Sequence, residues 1–144
     1  MNHQPRTPDT APLRDIPWSL VLALGTLALV RPLMSATGIS EAIGSPWAQL
    51  GATLLITAAW IAAVVVARVP RPFLTLVFTG VTYGVLAIVV SAVLSPFLLG
   101  ELQGPITNPF AIVSVLVTNA LWGTVSGGIA LAVRAALGRG PVRG

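Results

Sequence analysis

Few side chains in this sequence could do chemistry, and those few are mostly neutral. Tyr83, Asn119, Trp122 and Ser126 stand inside long apolar stretches, where a buried hydroxyl, amide or indole N–H calls for a hydrogen-bond partner. Arg31 lies near the end of another apolar stretch, with Glu41 and Glu101 in the polar segments beyond it. The chemistry open to such a set is recognition: hydrogen bonds to an uncharged or weakly polar solute, or attraction of an anion by the guanidinium. Catalysis has little to draw on. No glycine-rich phosphate loop, zinc-binding cluster, His-Glu-x-x-His pattern or nucleophile elbow occurs. His3 is the only histidine, cysteine is absent, and Glu41 and Glu101 are the only carboxylates after residue 15. A serine or threonine nucleophile would therefore find no base nearby. The sequence reads as a protein without enzymatic activity, cofactor or metal site.

Two readings attach to Arg31. A charge at mid-bilayer costs about 3 kcal/mol or more, so an arginine within a span is by default a functional-site candidate. Its long stem can also carry the guanidinium to the headgroups, or to a salt bridge with Glu41 or Glu101, and this blander reading is preferred. The alternative makes Arg31, Glu41 and Glu101 an outer vestibule that attracts anions. The seam residues divide similarly. Asn119, Gly123, Ser126 and Ala130 fall within about 60° of one another at 100° per residue, with Trp122 alongside. Asn119 bonded across to Tyr83 or Thr79 would glue two helices, for about 0.6–2 kcal/mol. Otherwise Tyr83, Asn119 and Trp122 line a small polar cavity.

The elements that must position these residues are set by composition. The chain has 144 residues, 55% hydrophobic and 8% charged, with a mean hydropathy of +0.89. Soluble domains carry about 25% charged residues, so this chain belongs to the membrane class. An all-α integral membrane protein is expected, with four transmembrane helices packed as a small bundle over residues 16–136. The spans fall at about 16–36, 47–67, 73–95 and 110–134, close to the ~20 residues that cross a ~30 Å hydrocarbon core. Each opens on proline and an aromatic: Pro17-Trp18, Pro46-Trp47, Pro72-Phe73 and Pro109-Phe110. Proline suits the first helical position, whose amide has no intrahelical partner, and the aromatic suits the headgroup level.

Local features refine these spans. The first reaches spanning length only if it continues through Arg31-Pro32 to Ala36, where Pro32 is expected to kink it. A retained span fits this better than a cleaved signal peptide, since no small-x-small site precedes Thr37. The loop at 37–46 places Ile39, Ala42 and Ile43 on one side of a short interfacial helix. In the second span Ala52, Ile56, Ala59, Ala63 and Ala67 form a mostly small row, of the kind that lets helices approach closely. Gly80 and Gly84 in the third span, and Gly123 and Gly127 in the fourth, make two Gly-xxx-Gly pairs suited to close helix packing. The third span is expected to end near Ser95-Pro96, and the polar segment after it to form an ordinary loop.

Charge orients the bundle. All eight basic residues are arginines. Four spans put Arg6, Arg14, Arg68, Arg71, Arg134, Arg139 and Arg143 on one side and Arg31, Glu41 and Glu101 on the other. Seven arginines against one is a positive-inside bias that makes both termini cytoplasmic and the membrane the cell's inner, or plasma, membrane. Residues 1–15 read as a mobile tail and 137–144 as a basic one. No basic helix or aromatic-interleaved patch points to nucleic acid. The expected partners are the bilayer and another copy of the chain or another membrane protein. The protein is thus read as a homo-oligomer or an accessory subunit of a larger complex. The second reading is a small-solute transporter or channel with its path in the seam between spans 3 and 4.

Overall fold

The structure, a computed structural model, describes residues 15–138. The tails expected at 1–15 and 137–144 lie outside those residues except for Asp15, Leu137 and Gly138. Helices α1 (Trp18–Ala28), α2 (Val30–Ala36), α3 (Ile39–Ile43), α4 (Trp47–Val66), α5 (Pro72–Leu99) and α6 (Pro109–Gly138) follow in order, with a short 3₁₀ turn at Pro105–Thr107. No strand occurs among the described residues. Four stretches are long and apolar enough to cross a membrane: α1 with α2, α4, α5 and α6. Large apolar side chains such as Leu54, Leu55, Val66, Val89 and Val125 stand exposed around the outside, as they must where lipid replaces water as the solvent.

Sequence explains the helix ends. Pro72 and Pro109 take the first helical position as expected, whereas Pro17 and Pro46 sit one residue before it. The Asn108 side chain accepts the Phe110 N–H at 2.9 Å, an N-cap that satisfies one otherwise orphaned amide. The expected kink in the first span is a break at Leu29 between α1 and α2. Pro32 has no N–H to give to Ala28, which weakens the ladder there. The third span is longer than expected. α5 runs through Pro96 to Leu99 and ends on Gly100, whose φ of +77° is open to glycine at little cost. Likewise α6 continues to Gly138.

Packing centres on α5. It lies against α6 along most of its length and against α1 on another side, while α4 packs mainly on α6. The helices α5 and α6 run antiparallel in backbone contact. A side chain at Gly80 would strike the Asn119 carbonyl, and one at Gly123 the Leu76 carbonyl. A Cβ at Gly127 would come within 2.9 Å of the Phe73 carbonyl, and one at Gly84 within 3.3 Å of Leu116. All four glycines foreseen as packing residues therefore lie in one interface. Gly25 plays the same part on α1, where a Cβ would meet Thr82 at 3.2 Å. The row on α4 divides: Ala52 and Ala59 line an open groove between α4 and the first span, while Ile56 is buried and Ala63 packs against the core.

The two ends of the bundle are built differently. At the end holding Asp15, α4 closes with the Arg68 N–H on the Val65 carbonyl and the Val69 N–H on the Val64 carbonyl, both 3.2 Å. These are the paired bonds of a Schellman cap, with Arg68 at φ +51° where glycine is usual. Arg134 on α6 donates to the Val69 carbonyl at 2.6 Å and ties the α4–α5 turn to the last helix. At the other end α3 forms as expected, with Ile39, Glu41, Ala42 and Ile43 exposed and Ser40 buried. The segment after α5 turns back along that helix: the Gln103 N–H bonds the Ser95 hydroxyl at 3.0 Å, and Gly104 lies against Ser91.

Candidate functional site

One aromatic cluster in the interior draws on all four spans. Trp60 of α4 is fully buried and stacks on Trp122 of α6, with ring centroids 4.7 Å apart and planes at 26°. Tyr83 of α5 meets the same Trp122 edge-on at 5.8 Å and 83°. Aromatic pairs in these geometries are worth about 0.5–1.5 kcal/mol beyond the area they bury. Both indole N–H groups are satisfied. Trp60 donates to the Leu24 carbonyl of α1 at 3.0 Å, and Trp122 to the Thr57 hydroxyl of α4 at 2.9 Å. The Thr57 hydroxyl in turn donates to the Thr53 carbonyl at 2.7 Å.

Arg31 of α2 is half-buried and lies near Tyr83. Neither preferred partner of the sequence reading is used. Glu41 is exposed on α3, and Glu101 is exposed and accepts from the Gln103 side-chain amide. The ion pair recorded among the described residues is Arg71 with Asp15, at 3.6 Å. The foreseen vestibule of Arg31, Glu41 and Glu101 is not a contact cluster.

The seam between spans 3 and 4 also differs from expectation in its bonds. Asn119 does not cross to Tyr83 or Thr79. Its amide donates to the Val115 carbonyl of its own helix at 2.7 Å, and Ser126 likewise to the Trp122 carbonyl at 2.8 Å. Thr79 bonds the Thr75 carbonyl at 2.7 Å. Local bonds of this kind satisfy each hydroxyl without a partner helix. With the helices in backbone contact at Gly80 and Gly123, the seam has no room for a solute. Of the four foreseen seam residues, only Tyr83 and Trp122 come together as functional groups. Trp60, Thr57 and Leu24 were missed. A tryptophan midway along the second span, away from the headgroup belts, was the available signal.

Two cavities flank the cluster. One is an apolar groove of about 620 Å³ between the first span and α4, lined among others by Leu27, Met34, Ile43, Gly51, Ala52 and Ala59. The other, of about 440 Å³, opens between α2 and α5 and is lined by Pro32, Ser35, Val90, Ser91, Leu94 and Ser95, among others. No group of three or more histidine, cysteine, aspartate or glutamate residues lies together among the described residues.

Compared with known proteins, the chain matches no family, no curated protein and no solved structure.

Proposed function

We propose that this protein is a multi-pass component of the cytoplasmic membrane, with both ends of the chain inside, that acts by assembly rather than by catalysis. In this reading it forms a homo-oligomer or serves as a small subunit of a larger membrane complex. The observation that carries it is the groove beside α4. Gly51, Ala52 and Ala59 face open space of about 620 Å³, and a side chain at Gly51 would meet nothing within 4 Å. Small residues along a span favour helix association in lipid because they let another backbone approach. Gly80, Gly84, Gly123 and Gly127 are already covered between α5 and α6, whereas Gly51 of α4 is not. The orientation is supported by Arg68, Arg71 and Arg134 at one end against Arg31 toward the other.

Transport through the seam between spans 3 and 4 draws no support from the packing, since backbone contact at Gly80 and Gly123 leaves no path. Purification in a mild detergent followed by native mass measurement tests the assembly reading. The expected result is a defined oligomer or a stoichiometric co-purifying membrane protein. A strict monomer across detergents and in nanodiscs overturns it.

A further inference from the structure

The turn between α4 and α5 carries more positive charge than the described residues answer. Arg68 and Arg71 stand in it. Arg134 of α6 joins them across the bundle by donating to the Val69 carbonyl at 2.6 Å. Asp15 is the carboxylate at this end, and it pairs with Arg71 at 3.6 Å. Arg68 is exposed and Arg134 half-buried, and neither forms an ion pair among the described residues. A guanidinium has five N–H donors, and the one that Arg134 gives to Val69 holds the group one residue away from Arg68.

Arg68 is also where the backbone is strained. Its φ of +51° is left-handed, a conformation that crowds a side chain and that glycine adopts freely. Glycine would close the cap of α4 equally well. An arginine kept there without an ion pair points to a use outside the chain, since strained residues gather at ligand clamps. The place is the membrane surface. Trp18 and Phe73, aromatics of the kind that suit the headgroup level, stand in the first turns of the two helices that begin at this end. From the arginines toward the bilayer centre, α4 and α6 present apolar side chains to lipid. Val66 lies on α4, and Leu131 lies one turn before Arg134 on the same face of α6, both exposed.

We infer that Arg68 and Arg134 together bind the phosphate diester of an anionic phospholipid, whose acyl chains run along Val66 and Leu131. Guanidinium groups match phosphate oxygens with paired N–H donors, and basic sites between spans at the membrane surface suit such headgroups. A zwitterionic headgroup brings a cation of its own to the same place, where the arginines repel it. A free phosphate has no chains for the apolar side chains to cover. The inference rests on the four apolar spans and not on assembly.

Native mass spectrometry of the detergent-purified protein, titrated with phosphatidylglycerol or with phosphatidylcholine of the same acyl chains, tests it. Phosphatidylglycerol should bind saturably and at least tenfold tighter. Diffuse attraction is worth about a factor of five for any arginine near the surface. A built site instead makes Arg68→Gln and Arg134→Gln each lose at least fivefold, and Arg143→Gln, outside the described residues, less than twofold. Arg68→Gln breaks no ion pair among the described residues, so it decides the matter alone if circular dichroism shows Arg134→Gln unfolded. Excess glycerol phosphate should leave the bound lipid in place. Equal binding of the two lipids, equal loss in Arg68→Gln and Arg143→Gln, unchanged binding in folded Arg68→Gln, or displacement by glycerol phosphate overturns the inference.

Discussion

Trp60 and Trp122 stack with ring centroids 4.7 Å apart, and each directs its N–H to a different span, Trp60 to Leu24 of α1 and Trp122 to Thr57 of α4. One aromatic pair thereby fastens the first, second and fourth spans, and the edge of Tyr83 adds the third. Trp60→Phe keeps most of the apolar volume and removes one donor, leaving the Leu24 carbonyl short of a partner. A loss of about 0.6–2 kcal/mol is expected, against about 3–5 kcal/mol for Trp60→Ala. Unfolding in mixed detergent micelles, followed by the remaining tryptophan fluorescence, measures both.

The glycine interface gives a sharper contrast. Gly123→Ala would drive a methyl group into the Leu76 carbonyl, whereas Gly128→Ala projects into open space. The first should destabilise by about 1–3 kcal/mol through forced separation of α5 and α6. The second should be neutral or gain up to about 1 kcal/mol from helix propensity. Comparing their unfolding midpoints checks the close contact without reference to any ligand.

Arg68 occupies a left-handed position in the cap that ends α4, at φ +51°. A non-glycine residue there pays about 1 kcal/mol in steric strain. Arg68→Gly should therefore stabilise the bundle by about 0.5–1 kcal/mol, the gain being partly offset by the freer unfolded chain. Thermal unfolding in detergent reads the sign. A loss of stability would mean that the arginine side chain contributes more than its backbone costs.

The sequence has no cysteine, so single-cysteine variants report topology directly. Glu41→Cys and Glu101→Cys should react with an impermeant maleimide added to intact cells. Arg71→Cys should react only after the cells are opened. The reverse pattern would invert the proposed orientation.

The four spans were legible because bilayer thickness and proline-aromatic starts leave strong, local traces. The pairing of Gly80 and Gly84 with Gly123 and Gly127 was legible too, since a small-residue stripe can be read from spacing alone. Hydrogen-bond partners were not. Asn119 had a partner four residues away on its own helix, and nothing in residue type distinguishes that choice from a bond across to Tyr83. Arg31 likewise forms no ion pair with Glu41 or Glu101 among the described residues, an outcome that residue type alone does not give. The continuation of α5 through Pro96 escaped because proline there removes a single donor near a helix end, where the backbone ladder has little left to lose. Trp60 was passed over for the same reason as Leu24: the value of a donor inside a bundle lies in a neighbouring span.

The tie between Arg134 and Val69 and the return of Gln103 onto Ser95 have a consequence for biogenesis. They brace the two ends of the α5–α6 hairpin, the most extensively packed pair in the bundle, which leaves the ribosome after the first two spans. The earlier spans reach the bilayer with Trp60 still lacking the ring it stacks on. Quality control would therefore meet a half-made bundle whose exposed indole marks it as incomplete, until the fourth span arrives and covers it.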